Sequence, residues 1–348
     1  MNSRSRFLAA CRREPVDRAP AWMMRQAGRY LPEYREVRSG HAFLEMVHDP
    51  KLSAEVTCQP IRRFGMDAAV VFCDILVPAE AMGMAVDFIE GRGPVLEPPV
   101  RSEADIERLA NFDAGEATGF LAETLKLVRA EIGDERALIG FCGAPFTVAS
   151  YVIEGASSRN YEHTKAMMLG QPAAFAKLLE KIVDVSIPYL TMQLEAGADV
   201  VQIFDSWGGA LSAQTYREHL SPHLNRLVQT VRDKTGAPVI VYANGCAHLL
   251  EVLADSGADV LGIDWRIEPQ EAIRRVGDRV ALQGNLDPTT LFAPPEVVAR
   301  EARRVLEDFA GQQGYIFNLG SGILPKTPVP SVEALFRTVL DPQGAGAR

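Results

Sequence analysis

At 348 residues, with 47% apolar and 23% charged side chains, the chain has the composition of a folded enzyme with a sizeable core, as two average domains or one large barrel. A formal charge of -9 and a pI near 5.3 leave no broad basic face to neutralise phosphates, which excludes a nucleic-acid binder; any anionic partner must be met by a local cluster of positive charge. No window reaches the length of a membrane span, and the opening M-N-S-R-S-R-F-L-A-A-C-R-R holds only four apolar residues before charge returns, too few for a signal peptide.

In chain order, the first short β-rich run is A-W-M-M-R at 21–25. Asp49 and Pro50 supply a cap and a proline at the first helical position, so a helix runs from there toward Gly65. The next strand is A-A-V-V-F-C-D at 68–74. Residues 82–100 read as a hairpin turning at Gly91-Arg92-Gly93. A helix over 118–133, ending on glycine, leads to the strand A-L-I-G-F-C-G-A at 137–144.

Beyond it, helices over 172–196, 213–233, 247–256, 268–276 and 295–310 alternate with strands at 200–206, 239–245, 260–265, 281–286 and 315–321. These strands are apolar throughout, as expected of parallel strands covered on both faces. E-A-G-A-D-V-V at 195–201 and S-G-A-D-V-L at 256–261 repeat one pattern of helix end, tight turn and strand start. Eight βα units in sequence predict an α/β fold, a single-domain (β/α)8 barrel over residues 1–348, with the hairpin as an excursion after strand two; a doubly wound sheet is the alternative.

Barrel enzymes carry their chemistry at the C-terminal strand ends. Those ends read Arg25, Asp74, Cys142-Gly143, Asp205-Ser206, Asn244, Asp264, Asn285 and Asn318 with Ser321. They offer no histidine, no nucleophile elbow and no Schiff-base lysine. Cys246 and His248 could give two zinc ligands, but a third is missing, and Ala247 with His248 reads as a helix start. The five cysteines form no C-x-x-C pair, which fits free thiols in a reducing compartment, hence a cytosolic protein.

The arginines of the first loop stand out. Arg25 and Arg29 flank Gln26-Ala27-Gly28, whose backbone N–H groups can point to the same place, and Gly28 permits a sharp turn. Guanidinium gives planar, bidentate recognition of carboxylate and keeps its charge at any working pH. The competing reading pairs them with Glu33, Glu36 or Asp74, while Arg35 and Arg38 fall on the outer face of the next turn. Asp74 reads either as a cap or arginine partner, or as a carboxylate facing a ligand rich in N–H groups.

W-M-M-R-Q-A-G-R-Y-L-P-E-Y-R, F-C-D-I-L-V-P-A-E-A-M-G-M, F-C-G-A-P-F-T-V-A-S-Y-V-I-E-G, Q-I-F-D-S-W-G-G and G-Y-I-F-N-L-G-S-G-I-L-P, in this order over nearly the whole chain, resemble the uroporphyrinogen decarboxylase family. The resemblance implies a distorted (β/α)8 barrel, active as a homodimer, that removes CO2 from the four acetate arms of uroporphyrinogen III to give coproporphyrinogen III without metal or organic cofactor. It makes Arg25 and Arg29 carboxylate-binding residues, with Gln26, Ala27 and Gly28 lining the site between them. It makes Asp74 the aspartate that faces the pyrrole N–H groups. Tyr151 and Ser206 become substrate contacts and Phe204 an apolar wall.

One position departs: after N-L-G the family commonly carries histidine, and this chain has Ser321. Serine takes no proton near neutral pH, so an acid–base role there is in doubt, while a binding role, direct or through water, is kept. Two rivals remain open. One is a zinc-dependent corrinoid or thiol methyltransferase of the same superfamily, disfavoured by Y-A-N-G-C and N-L-G-S at the strand ends; the other is a non-catalytic tetrapyrrole carrier.

Overall fold

The fold is taken from a computed structural model that describes residues 1–89, 91 and 93–341. Nine strands are present among them: β1 (Ala68–Val70), β2 (Ala85–Ile89), β3 (Gly93–Glu97), β4 (Ala137–Gly143), β5 (Val200–Asp205), β6 (Val239–Ala243), β7 (Val260–Gly262), β8 (Ala281–Leu286) and β9 (Tyr315–Leu319). Seven form one parallel sheet in the order β1-β4-β5-β6-β7-β8-β9, with helices between them. β1, β4, β6, β7, β8 and β9 are buried along their whole length, as covering on both faces requires. β2 and β3 pair antiparallel, Ala85 opposite Glu97, as the hairpin expected after the second strand. Its expected turn includes Arg92, which lies outside the described residues.

The expected first strand over 21–25 does not form. Ala21 makes a single parallel bridge to Phe317, and Arg25 already has a left-handed backbone, φ 60°. The segment nevertheless joins the two edges of the sheet. Phe317 N–H donates to Pro20 O at 2.8 Å and Trp22 N–H to Phe317 O at 3.3 Å. On the other side, Asp67 N–H donates to Ala21 O at 2.9 Å, and Asp67 Oδ2 accepts from Ala21 N–H at 2.8 Å. Side chains therefore do part of the work of a ladder, which hydrophobic periodicity cannot reveal.

The barrel interior carries a polar line. Trp22 Nε1 donates to Gln283 Oε1 at 2.8 Å, and Gln283 Nε2 donates to Gln202 Oε1 at 3.0 Å. Gln202 on β5 and Gln283 on β8 are not neighbours in the sheet, so the bond crosses the barrel and pins the indole of the first segment.

Two expected helices are broken. The run over 213–233 is two helices, Ala213–His219 and Ser221–Thr235, because Pro222 has no N–H to continue the first. The run over 247–256 is a tight turn, Ala247–Leu249, followed by Leu250–Ala254. Among the described residues no helix is long and apolar enough to cross a membrane.

Candidate active site

β1 ends at Val70, so Asp74 stands in the loop beyond it rather than closing the strand. Its Oδ1 accepts from Leu76 N–H at 2.9 Å, and its carbonyl accepts from Val77 N–H at 3.3 Å, where the helix Val77–Ala81 begins. The cap reading is thus half right: one carboxylate oxygen holds the turn. Among the described residues no protein donor faces the other. Burial pushes the carboxyl up to about 6, against the Leu76 N–H and the Arg25 charge, which both pull it down; Glu80 adds a smaller upward push.

Arg25 and Arg29 are both exposed, and among the described residues neither makes an ion pair. Glu33, a competing partner in the sequence reading, binds Arg63 instead at 2.5 Å. Arg25 bears electrostatically on Asp74 and on Tyr151, whereas Arg29 bears on the Tyr34 hydroxyl. The left-handed residue of this turn is Arg25 itself, not Gly28, which corrects the expected source of the bend. Such a backbone costs on the order of 1 kcal/mol and persists where the surroundings impose it.

Here the surroundings are visible. Gln26 is fully buried, its Nε2 donating to Ala68 O at 3.3 Å and its carbonyl accepting from Tyr30 OH at 2.8 Å. Its own N–H donates to Met23 O, so of the three amides expected to face a ligand this one is withdrawn. The Ala27 and Gly28 N–H groups have no backbone partner among the described residues. Arg35, expected to lie idle on the outer face, donates to Arg29 O at 3.1 Å and braces the loop. Gly322 closes the other flank: a Cβ there would stand 2.6 Å from Arg25 Cδ.

Tyr151, on the helix Pro145–Glu154, sets its ring at a tilt to that of Trp207, centroids 5.9 Å apart. Its hydroxyl is pushed up to about 12 by burial and then by the Asp74 charge. Phe204 lies between Phe141 and Tyr242, 5.5 and 6.0 Å away, forming an aromatic row across β4, β5 and β6. Ser206 follows β5, half-buried. Its neighbour Asp205 is committed to structure, accepting from Thr147 Oγ1 at 2.8 Å and Tyr216 OH at 2.7 Å. Asp264 likewise serves Arg266, at 2.7 Å.

Cys246 is buried, its thiol pushed up to about 12 by burial, and the His248 ring engages Leu211 O at 2.7 Å. Among the described residues no three His, Cys, Asp or Glu side chains cluster as a metal site. A hollow of about 210 Å3 between the end of β8 and the helix Pro295–Asp308 shares no lining residue with the mouth around Arg25 and Asp74.

Strand-end reading missed Tyr242, which precedes the end of β6, and Glu80, six residues past Asp74 on the helix Val77–Ala81. The former shows as a lone hydroxyl in V-I-V-Y-A, the latter as an acid four residues beyond Leu76.

The model of the uroporphyrinogen decarboxylase (URO-D) family matches residues 2–341. The uroporphyrinogen decarboxylase of Chloroflexus aurantiacus is 50% identical over 339 residues, covering 97% of this chain and 95% of its own. That of Sorangium cellulosum is 49% identical over 334 residues, covering 96% and 95%. Among solved structures, a methyltransferase from Methanosarcina mazei superimposes with a TM-score of 0.83 at 23% identity, covering 98% of this chain and 99% of its own, which bears on the fold alone.

Proposed function

The chain belongs to the uroporphyrinogen decarboxylase family, and from that premise we propose that it removes CO2 from the four acetate arms of uroporphyrinogen III to give coproporphyrinogen III, at the mouth framed by Arg25, Arg29 and Asp74. The observation that carries this reading is the state of Asp74: a half-buried carboxylate with one oxygen fixed by Leu76 N–H and, among the described residues, no hydrogen-bond donor on the other, close to the charge of Arg25, which makes no ion pair among those residues.

The chemistry follows from charge. The substrate carries eight carboxylates, and an acidic protein holds it by concentrating arginine at one mouth. Losing CO2 from a pyrrole acetate needs an electron sink. Protonation of the ring at carbon makes a cation that accepts the electrons released as the carbon–carboxylate bond breaks, so the reaction uses no metal or organic cofactor. Asp74 accepts hydrogen bonds from the pyrrole N–H groups and stabilises that cation, an effect much larger in a partly dry site than in water. Arg25 and Arg29 grip carboxylates, the Ala27 and Gly28 amides line the same point, Phe204 gives an apolar wall, and Tyr151, Ser206 and Ser321 contact the polar arms. Gln26 acts by holding the turn.

The test is anaerobic incubation of the protein with uroporphyrinogen in the dark, following product masses. Stepwise loss of four CO2 is expected, and Asp74→Asn should slow turnover by ~10²-fold or more. Binding without mass loss would point to a carrier instead. The reading extends to a single domain over 1–348, whose last residues, 342–348, lie outside those described, and to a cytosolic homodimer; sedimentation of the purified chain tests the last.

A further inference from the structure

Ser321 sits in a tripeptide held between two walls. A Cβ at Gly322 would press on Arg25, and one at Gly320 would stand 2.7 Å from the Trp265 backbone nitrogen. Gly320 N–H is tied to Leu286 O at 2.7 Å. The one side chain of Gly320-Ser321-Gly322 is therefore the serine hydroxymethyl, half-buried and next in the chain to the glycine packed on Arg25.

The turn itself is held by a buried phenol. Tyr242 is 4% exposed and its OH donates to Gly320 O at 3.0 Å. The phenol ring is wedged: its edge meets Phe204, and its Cβ and Cδ2 lie 3.0 Å from where a Cβ on Gly262 would stand. A phenol has one hydrogen to give. Committed to Gly320 O, it has none left for the Ser321 side chain, and its work is to hold the Gly320 carbonyl. Burial raises the Tyr242 hydroxyl, which keeps it neutral across the working range.

We propose that Tyr242 is a positioning residue for substrate: through Gly320 O it fixes the Gly320-Ser321-Gly322 turn that packs on Arg25, so that the Ser321 hydroxyl and the Arg25 guanidinium together bind one substrate carboxylate. The grip pairs a neutral O–H donor with a charged one and moves no proton, which suits a position where relatives commonly carry imidazole. The proposal rests on the decarboxylase reading above.

Steady-state kinetics with uroporphyrinogen test it in four proteins: wild type, Tyr242→Phe, Ser321→Ala and the double variant, with thermal melts of each. Each single change should raise KM roughly three- to tenfold with kcat held within about twofold. The double variant should be no worse than the poorer single one within about twofold, since Tyr242 acts through Ser321. A Tyr242→Phe protein that melts earlier but keeps its KM makes the tyrosine merely structural and overturns the proposal, as do multiplying effects in the double variant. Should Tyr242→Phe not fold, an unchanged KM in Ser321→Ala overturns it alone. A wild type that leaves uroporphyrinogen untouched sinks both readings; an active wild type with unaffected variants sinks only this one.

Discussion

Asp74 concentrates the chemistry in one titrating group. Its ordinary value is 3.8 and burial lifts it to about 6, so between those limits the native protein binds a proton that the unfolded chain does not. Two consequences have opposite sign. The charged form is the one that stabilises a pyrrole cation, so kcat/KM should fall as pH drops through about 6, as a pH–rate profile would show. Holding that charge costs stability: the penalty is absent below 3.8 and complete above about 6. Asp74→Asn should therefore make the protein more stable by on the order of 2 kcal/mol near pH 8 and no more stable near pH 4, read by urea denaturation at both. An asparagine variant with unchanged stability near pH 8 would mean that the carboxylate is well solvated. Glu80, paired with His48 at 3.0 Å, pushes the same carboxyl upward, so Glu80→Gln should move the acid limb to lower pH.

At the scale of elements, the loop that carries both guanidiniums has almost no secondary structure, and other elements hold it from every side. Asn318 Oδ1, at the end of β9, accepts from Met24 N–H at 3.0 Å and Leu319 N–H at 2.8 Å. Gln283 on β8 holds the Trp22 indole, Ala68 at the start of β1 accepts from Gln26, and Arg35 from the following helix braces Arg29. Asn318→Ala should leave the Met24 N–H unpaired in the interior, at a cost of about 1–3 kcal/mol. Because Arg25 and Arg29 ride on that loop, KM should rise more than kcat falls. Urea melts and steady-state kinetics on one preparation check both; lost stability with an unaltered KM would show that the loop keeps its shape without Asn318.

Over the whole molecule, closure of the barrel depends on one buried carboxylate. Asp67 is fully buried and accepts from Arg6 at 3.0 Å, from Arg18 at 2.7 and 2.9 Å, and from Ala21 N–H. It ties the first helix, the irregular first segment and β1 together where a regular eighth strand is missing. Removing it leaves Arg18 without its carboxylate, the Ala21 N–H unpaired and Arg6 with Asp17 alone, so Asp67→Ala should cost about 3–5 kcal/mol in urea denaturation. A loss below about 1 kcal/mol would mean that Arg6 and Arg18 find other acceptors.

The sequence by itself determined what local chemistry encodes. Apolar runs marked the seven parallel strands, Asp49-Pro50 and Gly65 bounded a helix, paired glycines marked the hairpin, and the arginine-rich motif with F-C-D marked the family. Period and capping are properties of neighbours in the chain, so they can be read there. What only the tertiary structure decided involves partners far apart in sequence. Residues 21–25 are apolar enough for a strand, yet Asp67, Gln283 and Asn318 bind them as an irregular seam. Asp205 ends β5, and Asp264 and Asp74 lie just past β7 and β1, but Thr147, Tyr216 and Arg266 satisfy the first two, while Asp74 keeps one oxygen without a donor among the described residues. Spacing fixes which residues reach the mouth of the barrel; only the fold decides which of them arrive there without a partner.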